Sequence, residues 1–132
     1  MTILLAVHSI VRWLLVAVAG VAIILLAIGW LGKKKFSKTD RILVAAYSGL
    51  LDLQVLIGLI FLLWTGFAGA GFPRFRLEHM TIMFIAALMA HFNSRWKEAD
   101  DKIRYRNTLF TLLGSLLLIF LGVALLPGGW SR

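Results

Sequence analysis

The sequence predicts an all-α integral membrane protein, a single four-helix transmembrane bundle with up-down topology. Three observations carry that prediction. Of the 132 residues, 61% are hydrophobic, and the mean hydropathy is +0.91; a soluble domain of this length would lack the polar surface to cover such a core. The excess gathers in four apolar runs, about 2–31, 42–65, 72–92 and 108–126, each near or above the roughly 20 residues a helix needs to cross a bilayer core. Most of the basic residues fall between the runs rather than within them.

One domain, 1–132, follows, with helices at about 2–32, 40–65, 73–97 and 105–126. The first run has no basic leader, is too long for a signal-peptide core, and is followed by Lys33-Lys34-Lys35 as a stop-transfer signal. It reads as a retained helix. His8 lies about two turns in, and Arg12 shares its face by the i, i+4 rule. Small residues follow (Ala17, Ala19, Gly20, Ala22, Ala27, Gly29) and permit close helix approach. Trp13 and Trp30 suit interfacial anchors near its ends.

Ser37 or Thr39 is placed to cap the second helix, with Asp40 in its first turn. Asp52 and Gln54 come near mid-helix and point about 200° apart; Asp52 is expected to face the bundle interior, protonated or hydrogen-bonded. The glycine-rich segment 66–71 reads as a turn-rich connection, or a flexible lid. Pro73 suits the first turn of the third helix. That helix opens with Arg74, Arg76, Glu78 and His79 and carries Met80, Met83 and Met89, which read as packing. His91 comes twelve residues after His79, about 18 Å along the axis and about 120° around it. The two cannot share one metal, so His91 reads as an interfacial or hydrogen-bonded histidine. The fourth run holds no ionisable group; it is expected to close the bundle or face lipid, and Pro127-Gly128-Gly129 ends it.

The formal charge of +8 is concentrated in two loops: Lys33, Lys34, Lys35, Lys38 and Arg41, then Arg95, Lys97, Lys102, Arg104 and Arg106. Helices that alternate direction place both loops on one side. The positive-inside rule makes that side cytoplasmic and turns both termini, Arg132 included, outward. Contact with anionic headgroups accounts for the basic charge better than nucleic acid does, because no folded soluble platform carries it. No cysteine is present, which excludes disulfides, iron–sulfur clusters, covalent haem attachment and cysteine nucleophiles.

Two ionisable clusters stand inside the greasy runs, and such groups normally face a partner or a cavity. One is His8 with Arg12 and Trp13; the other is Arg74, Arg76, Glu78 and His79. His8 lies about 9 Å below the outer end of its helix, taking 1.5 Å per residue, and His79 comes out at a similar depth. Two chemistries fit. A b-type haem would take His8 and His79 as axial ligands, with Arg12, Arg74 and Arg76 near the propionates and Trp13 and Phe75 against the ring. A salt-bridged network, Glu78 with Arg12 and the histidines as hydrogen-bond partners, explains the same residues without a cofactor. Zinc fits poorly, because adjacent helical residues such as Glu78 and His79 diverge by about 100°. A quinone pocket using His79, Arg76 or Gln54 is open, but no spacing demands it. No nucleophile–base arrangement stands out, so an electron carrier or accessory subunit is expected rather than a stand-alone enzyme.

His8-Ser9-x-x-Arg12-Trp13, x-Leu53-Gln54-x-Leu56-Ile57-Gly58 and Arg76-x-Glu78-His79-x-x-x-Met83-x-x-Ala86 resemble a family of small bacterial four-helix membrane proteins commonly labelled cytochrome b or cytochrome-b-like. The resemblance runs over most of the chain. It implies membrane-bound electron transfer with one bis-histidine b haem. His8 and His79 match the family histidines, and Arg12 and Glu78 match their polar companions. One departure is Asp52, where such proteins often have a histidine two residues before the helix-two glutamine. The implied setting is a bacterial inner membrane, inside a larger respiratory or photosynthetic complex or a homo-oligomer. The implied redox partner is a quinone or a periplasmic protein. The alternative is a cofactor-free accessory subunit of such a complex.

Overall fold

A computed structural model describes residues 2–131, with side chains from residue 3 to residue 130; Arg132, counted above among the outward cations, lies outside the described residues. Four α-helices are present among the described residues: α1 (Thr2–Leu31), α2 (Lys38–Thr65), α3 (Arg74–Ala90) and α4 (Asp101–Ala124). Three apolar helical segments, Ile3–Leu31, Lys38–Ala70 and Asp101–Ala124, are long and apolar enough to cross a membrane. The third helix is shorter than expected, 17 residues or about 26 Å. It continues as a 3₁₀ segment, His91–Trp96. Side chains near its end take over the carbonyls of the last turn: Asn93 Nδ2 donates to Ala90 O (2.7 Å) and Ser94 Oγ to His91 O (3.0 Å). Such local bonds compete with the helical ladder.

α2 starts two residues earlier than expected because Ser37 forms a reciprocal cap. Asp40 N donates to Ser37 Oγ (3.2 Å), and Ser37 N donates to Asp40 Oδ2 (2.9 Å). At its far end α2 runs on into a π-helical turn, Gly66–Ala70. Gly69 (φ 122°) and Gly71 (φ 69°) then turn the chain in backbone regions that favour glycine.

Neighbouring helices pack in a ring, α1 on α2, α2 on α3, α3 on α4 and α4 on α1, so α1 and α3 stand diagonally. The shared core is Leu15, Ala19, Ala22 and Leu26 of α1, Tyr47 and Leu51 of α2, Met83, Ala86 and Ala90 of α3, and Leu109, Leu112 and Ile119 of α4. Alanines on α1 and α3 keep these backbones close to their neighbours. The outward faces stay greasy: Ile10, Leu14, Ile24, Leu56, Phe84 and Leu117 are all exposed. α4 does close the bundle, but it is not apolar throughout. It begins on charged residues at Asp101, and it buries Thr108, Thr111 and Ser115.

Polar side chains pin the core and one end. Tyr47 Oη and Ser115 Oγ lie 2.9 Å apart, and Ser115 Oγ donates to Ala86 O at 2.9 Å. At the end carrying the basic loops, the Tyr105 hydroxyl reaches Asp40 Oδ2 (2.5 Å) and Lys35 O (2.8 Å). Phe36 N donates to Asp101 Oδ1 (3.0 Å), and the Arg104 guanidinium lies 3.9 Å from the Phe36 ring centroid.

Candidate functional site

The opposite end of the bundle gathers the start of α1, the end of α2, the start of α3 and the end of α4. There the helices splay around a cavity of about 410 Å³, a size that suits a small molecule or cofactor. His8 and Arg12 reach it from α1, Gly58 and Phe61 from α2, Phe75, Arg76 and His79 from α3, and Val123 from α4; Leu126 and Pro127 close one side. The expected meeting of His8, Arg12, Arg76 and His79 therefore occurs, across the diagonal of the ring.

Each of these side chains is held. His79 Nδ1 lies 2.8 Å from Gly122 O. A carbonyl only accepts, so Nδ1 carries the proton and, in the neutral ring, Nε2 keeps the lone pair. Gln54 is buried at 8% exposure, and its Nε2 donates to His8 O at 2.7 Å and stands 3.3 Å from His8 Nδ1. Gln54 Oε1 is buried and has no hydrogen-bond partner among the described residues. Leaving an acceptor so placed costs about 1–3 kcal/mol. A second void, about 30 Å³ and lined by His8, Gln54, His79 and Met83 among others, is large enough to admit one water.

The two arginines sit differently. Arg12 is buried at 8% exposure; its guanidinium lies 5.1 Å from the Trp13 ring centroid and 5.7 Å from that of Trp130. Arg76 Nη1 donates to Thr65 Oγ1 at 2.9 Å and stacks 5.5 Å from the Phe61 centroid. Cations over aromatic faces keep their position without losing their charge.

Two expected members of the site lie elsewhere. Arg74 points outward with a side chain 92% exposed, and its Nε donates to Glu78 Oε1 at 2.7 Å. The i, i+4 spacing brings that pair together on the helix surface, so Glu78 pairs with Arg74 in place of the expected Arg12. Trp13 is 53% exposed and packs edge-on against Trp130, centroids 6.0 Å apart; it backs Arg12 rather than lining the cavity. Asp52 also departs from expectation. The buried stripe of α2 runs through Tyr47, Leu51 and Gln54, which turns Asp52 to the outer face. There both its oxygens meet His91 Nε2, at 2.8 and 3.0 Å. His91 is hydrogen-bonded as expected, and far from the cavity.

Gly58 and the Gly122 carbonyl join the site without having been assigned to it, and Gln54, named beforehand only for a quinone pocket, joins it through His8. Gly58 was visible only as part of a motif. A Cβ built there would stand 3.3 Å from His8 Nε2, so the missing side chain makes room for the imidazole. The Gly122 carbonyl is main chain and leaves no signal in the sequence.

The donor set suits a b haem: two imidazoles, one already oriented by a carbonyl on its other nitrogen, and two guanidinium groups on the same cavity. Among the described residues, no group of three or more His, Cys, Asp or Glu could hold a bare metal ion. Compared with family models, curated proteins and solved structures, the chain has no match.

Proposed function

We propose that this chain is a membrane-embedded electron-carrier subunit that holds one b-type haem in its outer cavity. The observation that carries the reading is the convergence of His8, His79, Arg12 and Arg76 on a single cavity. His8 and His79 would ligate the iron, and Arg12 and Arg76 would neutralise the propionates. When bound, the haem supplies a one-electron couple. Phe61 and Phe75 would offer apolar faces to the macrocycle, and Leu126 and Pro127 would limit water at the mouth. The bundle has no electron source of its own, so it works within a larger respiratory or photosynthetic assembly, with a quinone or a periplasmic protein as redox partner.

Charge asymmetry supports the placement of the cavity. The cavity lies at the end away from the basic loops; by the positive-inside rule we take that end, with both termini, as the outer side of a bacterial inner membrane. Haemin titration of the purified chain tests the cofactor. A stoichiometry near one per chain, lost in Arg12→Ala/Arg76→Ala, is expected; no saturable binding to folded protein overturns the reading. With no native cysteine, single cysteines at positions 34 and 68 report the sidedness in intact cells.

A second reading, a cofactor-free accessory subunit, is favoured by one observation. Protein atoms already satisfy much of the cluster: Gln54 on His8, Gly122 O on His79 and Thr65 on Arg76. Under that reading Gln54→Leu and His79→Ala lower stability alike and no pigment is bound.

A further inference from the structure

We infer that Gln54 is a positioning residue that holds His8 in the Nε2–H tautomer, opposite to the Nδ1–H tautomer in which the Gly122 carbonyl holds His79. The orientation of the Gln54 amide decides this. The atom 2.7 Å from His8 O must be the amide nitrogen, because an amide oxygen there would face another acceptor. The same nitrogen stands 3.3 Å from His8 Nδ1. Its second hydrogen therefore meets Nδ1, which must accept, and the ring proton goes to Nε2. Reversing the amide would put two oxygens face to face, and Oε1 is left without a partner as a result. On His79 the logic runs the other way: Gly122 O accepts, so Nδ1 donates.

The two imidazoles thus reach the cavity as an unlike pair, one with its outer nitrogen protonated and one with its outer nitrogen as acceptor. The consequence for iron rests on the haem reading. On that reading His79 would ligate through Nε2 without a change of tautomer. His8 would ligate only when the proton leaves Nε2 and one is taken up at Nδ1, with no net change, and when the Gln54 amide has turned its hydrogen away. Gln54 then governs ligation by His8 and not by His79.

The test needs no cofactor. The full chain, labelled with ¹⁵N-histidine and held in detergent without added haem, gives ring-nitrogen correlations at a pH where the rings are neutral. Only three histidines are present, and single replacements assign them. The expected result is His8 protonated at Nε2 and His79 at Nδ1. Gln54→Glu, measured at a pH where its carboxyl is ionised, replaces the donor by an acceptor and should turn His8 over to Nδ1–H, leaving His79 unchanged. A wild-type His8 protonated at Nδ1 overturns the inference. So does a His8 tautomer that Gln54→Glu leaves as it was. Haemin added afterwards separates the two readings: tautomers as expected with no haem uptake sink the proposed function and leave the role of Gln54 standing.

Discussion

A methyl group added at Gly58 would stand 3.3 Å from His8 Nε2, 3.4 Å from Met80 Cε and 3.7 Å from His8 Cδ2. Apolar contacts are comfortable at about 3.5–4.0 Å, so Gly58→Ala asks for a shift of a few tenths of an ångström. Met80 Cε ends a flexible chain and can move. The His8 ring is tethered on its other side by Gln54, so the strain falls on that imidazole. Against this, alanine is favoured over glycine in a helix interior by about 1 kcal/mol. The shallow overlap takes back less than the 1–3 kcal/mol typical of overpacking. Thermal unfolding in detergent should therefore change by no more than about 1 kcal/mol. Haem affinity should fall about tenfold, the low end of what disturbing a ligand's support costs. Circular dichroism on heating and haemin titration give the two numbers from one preparation. Unchanged haem affinity in a folded Gly58→Ala variant would refute the placement of His8 against α2.

Gly29→Ala should instead break the fold. Its Cβ would lie 2.3 Å from Tyr105 Cε1 and Cζ, and that ring is buried and fixed through its hydroxyl to Asp40 and Lys35 O. A loss of about 2–4 kcal/mol, from overpacking plus a disturbed bond to a carboxylate, is expected by thermal unfolding. Arg74→Ala and Glu78→Ala should change stability by less than about 0.5 kcal/mol, as exposed i, i+4 pairs do, and leave haem uptake intact. Arg76→Ala, two residues from each and on the opposite side of the helix, should weaken haem uptake in the same titration. Asp52→Asn should alter stability in detergent by less than about 1 kcal/mol, since the pair with His91 is half exposed, and should leave the cavity chemistry unchanged.

The helices were legible because apolar runs, Pro73 and the Ser37–Asp40 cap are local signals. The split of α3 from its 3₁₀ continuation was not, because it depends on Asn93 and Ser94 reaching carbonyls near the helix end. At the site, the meeting of His8, Arg12, Arg76 and His79 followed from depth and charge alone. The exchange of Glu78 from Arg12 to Arg74 could not be read in the same way. Both pairings are chemically sound, and only the buried, Trp-backed position of Arg12 separates them. The outward turn of Asp52 follows from which stripe of α2 is buried. Periodicity offered two stripes two residues apart, and the interior chose the one with Gln54.

The most direct test of the account is the dithionite-reduced minus oxidised visible spectrum of the purified chain, produced with ample haem, beside its His8→Ala and His79→Ala variants. The account predicts a sharp α-band of six-coordinate b haem in the wild type, absent from both variants while their helical content is kept. A flat spectrum from well-folded wild-type protein, or a six-coordinate band that survives either replacement, would contradict it.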